Sequence, residues 1–335
     1  EEEGGGDRKS VVDTVSLERY TWLRASHVAP LEGGIGMSSK AKELEVQVAF
    51  PLEFSPSSSS LSSPRTNSLH GGEEDVDDEI DWNPDVIPKQ DLFAYLPIKN
   101  YGFRVVIQAD WELTSSREGV HSGDAWNVFI RKQIAPAFRK AALLFISETV
   151  KQRSSNSNSN SGAPPPPTID DDFKKKLGSA TTNIDSKNLS PPPTTFGCGG
   201  YNSLLRRFLL CLPLNDDMTD EFFHPVVESV RKEITDLPIL MCEGHVLTAP
   251  TRVLRGPDDD RLAKATSTIL GRVSKFRLLH KSLSKMPLRL QKHLGVREFG
   301  AQVVVRILSL ISEKALWAKE EDDRDVKEGG EGMEG

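Results

Sequence analysis

Two stretches of this chain lack the means to fold by themselves, and they dictate where a fold has to be. Residues 55–80 are rich in serine and then in acid. Residues 152–200 carry a Ser/Asn repeat opening at Ser154-Ser155-Asn156 and proline runs at Pro164 to Pro167 and Pro191 to Pro193. Segments this poor in apolar side chains bury too little surface to offset the loss of backbone freedom on ordering. The first reads as an insertion in a loop, tolerated because closure entropy rises slowly with loop length. The second reads as a low-complexity linker, and the main boundary is placed there. The expected organisation is a flexible N-terminal segment over 1–39, an α+β module over 40–151, the linker, a mainly helical module over 201–318, and an acidic disordered tail over 319–335.

The α+β reading comes from hydrophobic periodicity. Leu44, Val46, Val48 and Phe50 alternate with polar residues and predict a half-buried strand that Pro51 ends. Val11 to Val28 fits either a strand or a short helix. Leu92-Phe93-Ala94-Tyr95-Leu96 and the run 103–111, with Phe103, Val105, Ile107, Ala109 and Trp111 on one face, are expected to pair as a hairpin through a turn at Asn100-Tyr101-Gly102. Trp126, Phe129, Ile130, Ile134, Ala137, Phe138, Ala141, Leu144 and Phe145 fall at spacings of three and four, so a helix should pack on that sheet. Asp124 stands where a cap would, and Pro136 inside should kink the helix or leave a carbonyl unpaired. The fold class expected is thus a mixed or antiparallel sheet with a packed amphipathic helix, followed by helices.

In the second half, Phe222, Phe223, Val226, Val227, Val230 and Ile234 mark an inward helix face over about 220–236, with Pro225 suited to its first turn. Glu243-Gly244 reads as a turn between Ile239 to Cys242 and His245 to Leu247. Helical patterns fill 260–284 and 297–318.

Composition excludes several classes. The net charge of -7, from 42 Lys+Arg against 49 Asp+Glu, gives no basic nucleic-acid footprint. No apolar run approaches the roughly 18 residues of a membrane span. Three cysteines, Cys198, Cys211 and Cys242, show no metal spacing, and an odd count points to reduced thiols in the cytoplasm or nucleus. The opening Glu1-Glu2-Glu3-Gly4-Gly5-Gly6 is not a signal peptide, and without an initiator Met the chain is expected to be a piece of something longer or to lack its true beginning. The seven histidines form no ligand pattern, and no serine sits in a nucleophile elbow. Gly33 to Gly36 allows a phosphate-approaching loop, but no strand and helix frame it, and a flexible connector is the better reading.

One stretch carries a specific chemical possibility. Ser115-Ser116-Arg117-Glu118 follows a strand and precedes a helix, so Arg117 is held where it can point outward. A guanidinium is charged at any working pH and its planar donors match phosphate oxygens. The competing reading is a local ion pair with Glu112 or Glu118, the commoner fate of such an arginine.

Several short motifs occur in an order that resembles a known group. Asp91-Leu92-Phe93-Ala94-Tyr95-Leu96-Pro97-Ile98, Phe103 to Trp111, Leu113 to Glu118, Trp126-Asn127 and Ile134-Ala135-Pro136-Ala137 are similar to the region after the ATPase module in the sacsin and plant NO VEIN group. Phe222-Phe223 to Leu240 and Val253-Leu254 fit its helical continuation, and the resemblance covers roughly 40–315. Those proteins resemble the ninety-kilodalton heat-shock chaperones in their Bergerat-fold ATPase, whose middle domain carries a Ser-Arg-Glu after a strand. The resemblance implies a chaperone middle-domain-like fold here. It implies that Arg117, with Ser115, Ser116 and Glu118 as motif support, reaches the γ-phosphate of ATP bound by an upstream domain. ATP and magnesium would then belong to that upstream domain, with no cofactor or metal held by this chain. Its partners would be that domain and protein clients, and neither nucleic acid nor membrane. The Asp that reads adenine and the Glu that positions water are absent, so this chain alone is not expected to hydrolyse ATP. Gly34-Ile35-Gly36-Met37 is similar to the glycine box of that ATPase but stands in the wrong place, just before the Leu44 strand. The alternative function is a non-enzymatic interaction scaffold.

Overall fold

The computed structural model describes residues 21–31, 43–52, 82–156, 168–169, 202–257, 259–273, 275–305, 308–309 and 312. The glycine-rich stretch 33–36, both serine-rich insertions apart from 152–156 and Thr168–Ile169, Cys198 and the acidic tail lie outside them.

A five-stranded mixed sheet is built from β1 (Trp22–Pro30), β2 (Glu43–Pro51), β3 (Asp91–Ala94), β4 (Leu96–Asn100) and β5 (Val106–Gln108), in the order β1-β2-β5-β3-β4. In β2 the alternation does what period two requires: Leu44, Val46, Val48 and Phe50 are all at most 1% exposed. β1 pairs antiparallel with β2 along its whole length, from Trp22↔Pro51 to Pro30↔Glu43. The segment 1–39, expected to be flexible, therefore supplies an edge strand.

The pairing of the 92–96 and 103–111 runs also differs from expectation. β3 turns back at once through Tyr95 and pairs antiparallel with β4, while β5 lies on its other side in parallel, Leu92 opposite Ile107. Tyr95 makes this reversal with φ 61°, and the Gln108 side chain accepts its amide at 3.0 Å. Phe103, Val105, Ile107, Ala109 and Trp111 are nevertheless all buried, as the alternation required.

The helix α1 (Ala125–Asn156) runs without interruption through Pro136. Its start is fixed by Asp124, whose carboxylate accepts the amides of Trp126 at 2.7 Å and Asn127 at 3.2 Å, the ordinary N-cap arrangement. Its apolar stripe covers β1 and β2 and meets α2 (Asn202–Leu210) and α3 (His224–Ile234).

The second half is mixed rather than mainly helical. Between α3 and the chain's later helices lie β7 (Leu240–Cys242), β8 (Val246–Thr248) and β9 (Val253–Arg255). β7 and β8 form the expected hairpin, with Gly244 at φ 76° and His245 at φ 56° in the turn, and β6 (Thr168–Ile169) adds to β8 in parallel. After α4 (Asp260–Val273), the short strands β10 (Arg277–Leu278) and β11 (Arg297–Glu298) flank β9 in parallel, with α5 (Leu288–Leu294) between them in sequence.

The two halves share one core, so the boundary at 152–200 separates them in sequence and not in packing. Phe50 of β2 stands 5.3 Å from Phe138 and Phe145 of α1 and 5.5 Å from Phe208 of α2. Phe223, just before α3, meets Tyr101, Phe103 and Trp111 at 4.6, 5.5 and 5.8 Å between ring centres. Edge and tilted contacts of this kind are the favoured aromatic geometries.

Candidate functional site

Past β5 the chain makes a second, smaller reversal. Leu113 and Val120 pair across an antiparallel bridge, and residues 114–119 form its loop. Inside it Arg117 donates its amide to Thr114 O at 2.8 Å, closing a turn around Ser115 and Ser116, and Thr114 N donates to Gly119 O at 2.9 Å. The Thr114 and Ser116 hydroxyls lie 3.2 Å apart, and Glu118 N reaches Ser116 Oγ at 3.4 Å. Ser115, Ser116, Arg117 and Glu118 are all exposed, and Arg117 has φ 60°. A bulky residue in the left-handed region signals a backbone set by its surroundings.

The ion pair of the competing reading does not form. Neither Glu112 nor Glu118 pairs with Arg117, which makes no ion pair among the described residues. Its guanidinium stands in solvent while its main chain is tied down.

The loop is tied down by two residues outside the motif. Asn127 in the first turn of α1 is fully buried; its Nδ2 donates to Glu112 O at 2.7 Å and His121 O at 2.9 Å, and its Oδ1 accepts Glu112 N at 2.9 Å. The second is Tyr101, 2% exposed, whose phenolic oxygen accepts Val120 N at 2.8 Å. Burial pushes the Tyr101 phenol above its usual range, opposed by the Val120 amide. Sequence reasoning missed both. The signal for Asn127 was a carboxamide just inside a helix of apolar spacing; for Tyr101 there was none beyond the adjoining Gly102.

The wider neighbourhood is structural. Arg104, 5% exposed, meets Asp217 at 3.1 Å, and Lys89 donates to the Asp217 carbonyl at 3.0 Å. Cys211 and Cys242 are buried, and desolvation pushes each thiol up to about 12. No group of three or more His, Cys, Asp or Glu side chains among the described residues is arranged to hold a metal. No helix among them is long and apolar enough to cross a membrane.

Comparison with known proteins gives one relationship. The chain is similar to Protein NO VEIN of Arabidopsis thaliana, 26% identical over 235 residues that cover 68% of this chain. It spans only 7% of that relative's length. No family model matches the chain, and no solved structure matches it.

Proposed function

We propose that this chain is a segment of a NO VEIN-like, chaperone-type protein, and that Arg117 contacts the γ-phosphate of ATP bound with magnesium by an upstream domain. The observation that carries the reading is the presentation of Arg117: an exposed guanidinium on a loop whose two arms are bonded to buried groups. A cation whose main chain is held in place brings its charge to a transferring phosphoryl group with only the side chain left to order. Supplied across a domain boundary, it also couples hydrolysis to closure. The similarity to NO VEIN over 68% of the chain supports the group, and the sacsin-like and heat-shock-like ATPase context is part of the proposal.

The test joins this chain to its nucleotide domain and compares ATPase rates of wild type and Arg117→Ala. The expected fall is on the order of 10³, as for arginines supplied in trans. Equal rates would remove the catalytic role.

An interaction scaffold is the second reading, favoured by exposed apolar side chains in the second half. Leu262 and Ile269 on α4 are 52% and 45% exposed. On this reading Arg117→Ala is silent and glutamate at either apolar position abolishes binding of a protein partner.

A further inference from the structure

We propose that Tyr101 is a positioning residue for Arg117, and that it carries the placement of residues 217–223 into the 113–120 loop. The inference rests on the phosphate-contact reading above.

Tyr101 is gripped on three sides. Its ring lies 4.6 Å from that of Phe223, and its carbonyl accepts Thr219 N at 3.2 Å. The next residue, Gly102 at φ 103°, lies so close to the other strand of chain that a Cβ there would stand 2.0 Å from Asp217 O. The backbone of 101–102 is therefore packed directly on the 217–223 segment. From this anchored base the ring reaches across to Val120 N, and a Cβ on Gly119 would come within 3.2 Å of the phenolic oxygen. That arm of the loop rests on the hydroxyl, three residues from Arg117.

The relay has a consequence for which element controls the arginine. Asn127 ties the loop base to α1, within the same half of the chain. Tyr101 ties the loop arm to a segment more than a hundred residues later. A movement of 217–223 shifts the Tyr101 ring first and Val120 next, so whatever binds the second half has a route to the guanidinium.

The variant is Tyr101→Phe in the full chain, which keeps the ring and removes the acceptor. Hydrogen exchange of the Val120 amide should rise about tenfold or more, since a lost hydrogen bond frees local opening. Exchange in β2 and the middle of α1 should stay unchanged. Unchanged exchange at Val120, or a uniform rise along the chain, would overturn the proposal. Phe223→Leu keeps the hydroxyl and loosens its support, and should raise Val120 exchange as well; it serves if Tyr101→Phe does not fold.

In the protein joined to its nucleotide domain, Tyr101→Phe should lower kcat and leave KM for ATP unchanged. On an Arg117→Ala background it should have no further effect, because it acts only through that side chain. The same fold-loss on both backgrounds would make Tyr101 merely structural. A silent Arg117→Ala would sink the phosphate reading and this one together. A slow Arg117→Ala with a wild-type Tyr101→Phe would sink this one alone.

Discussion

Asn127 satisfies both main-chain polar groups of Glu112, donating to its carbonyl at 2.7 Å and accepting its amide at 2.9 Å. A carboxamide that engages one residue in this way bonds main-chain groups much as a neighbouring strand does. It does so where the chain has left β5, beside the Leu113–Val120 bridge, and shares the Glu112 carbonyl with the His121 amide at 3.0 Å. Asn127→Ala leaves the Glu112 pair and the His121 carbonyl without that partner. The Glu112 carbonyl keeps the His121 amide and the His121 carbonyl keeps the Asp124 amide, so the Glu112 amide is the group stripped of its bond, and the expected cost is about 1–3 kcal/mol. A lower midpoint in urea with unchanged slope is the measurement.

The Arg104–Asp217 pair should behave as a buried ion pair. Both side chains are nearly enclosed, at 5% and 11% exposed. Asp217→Asn removes the nearer carboxylate and leaves Arg104 the exposed Asp85 at 3.7 Å, and should cost about 3 kcal/mol, whereas replacing both partners together by Met and Leu should cost far less. Chemical denaturation of Arg104→Met, Asp217→Leu and the double variant closes the comparison, alongside Asp217→Asn.

Gly102→Ala should be among the most damaging single substitutions in the chain. The added methyl would meet the Asp217 carbonyl oxygen and carbon at 2.0 and 2.7 Å, both backbone atoms that cannot rotate away. The left-handed φ adds to the penalty. A loss of about 3 kcal/mol or more is expected, read as loss of the folded fraction at moderate urea.

Two histidines give the fold an acid sensitivity. Burial lowers the pKa of His27 and of His293 from 6.5, and nearby Lys140 and Arg231 respectively add to that. The unfolded chain thus takes up these protons before the folded one. Their contribution is fully present above pH 6.5 and is lost as pH falls through the lower folded values. Thermal midpoints should drop on acidification through this window. His293→Gln should flatten the dependence, and an unchanged slope would show that His293 does not contribute.

The faces of the elements were legible, and their partners were not. Leu44 to Phe50 and Phe103 to Trp111 announced which side chains go inward, because alternation is a property of one strand alone. Which strand β3 lies beside is decided elsewhere: the reversal at Tyr95 puts a tyrosine where glycine or asparagine normally signals a turn. The two-residue strands β10 and β11 owe their conformation to β9 and carry no pattern of their own. The site divides in the same way. Arg117 and its serines were visible as a motif after a strand. Tyr101 and Asn127, which hold that motif, act from 19 and 15 residues away from the amides they accept, and local reading has no access to such contacts.

The ring of Phe145 in α1 lies 5.2 Å from that of Phe208 in α2, and both meet Phe50. The covalent path between these helices is therefore redundant for holding them together. Doubling the length of that connection should cost only about 0.6 kcal/mol. A break engineered between residues 170 and 201 should yield fragments that copurify and complement one another, with the aromatic trio acting as the fastener that the peptide chain no longer provides.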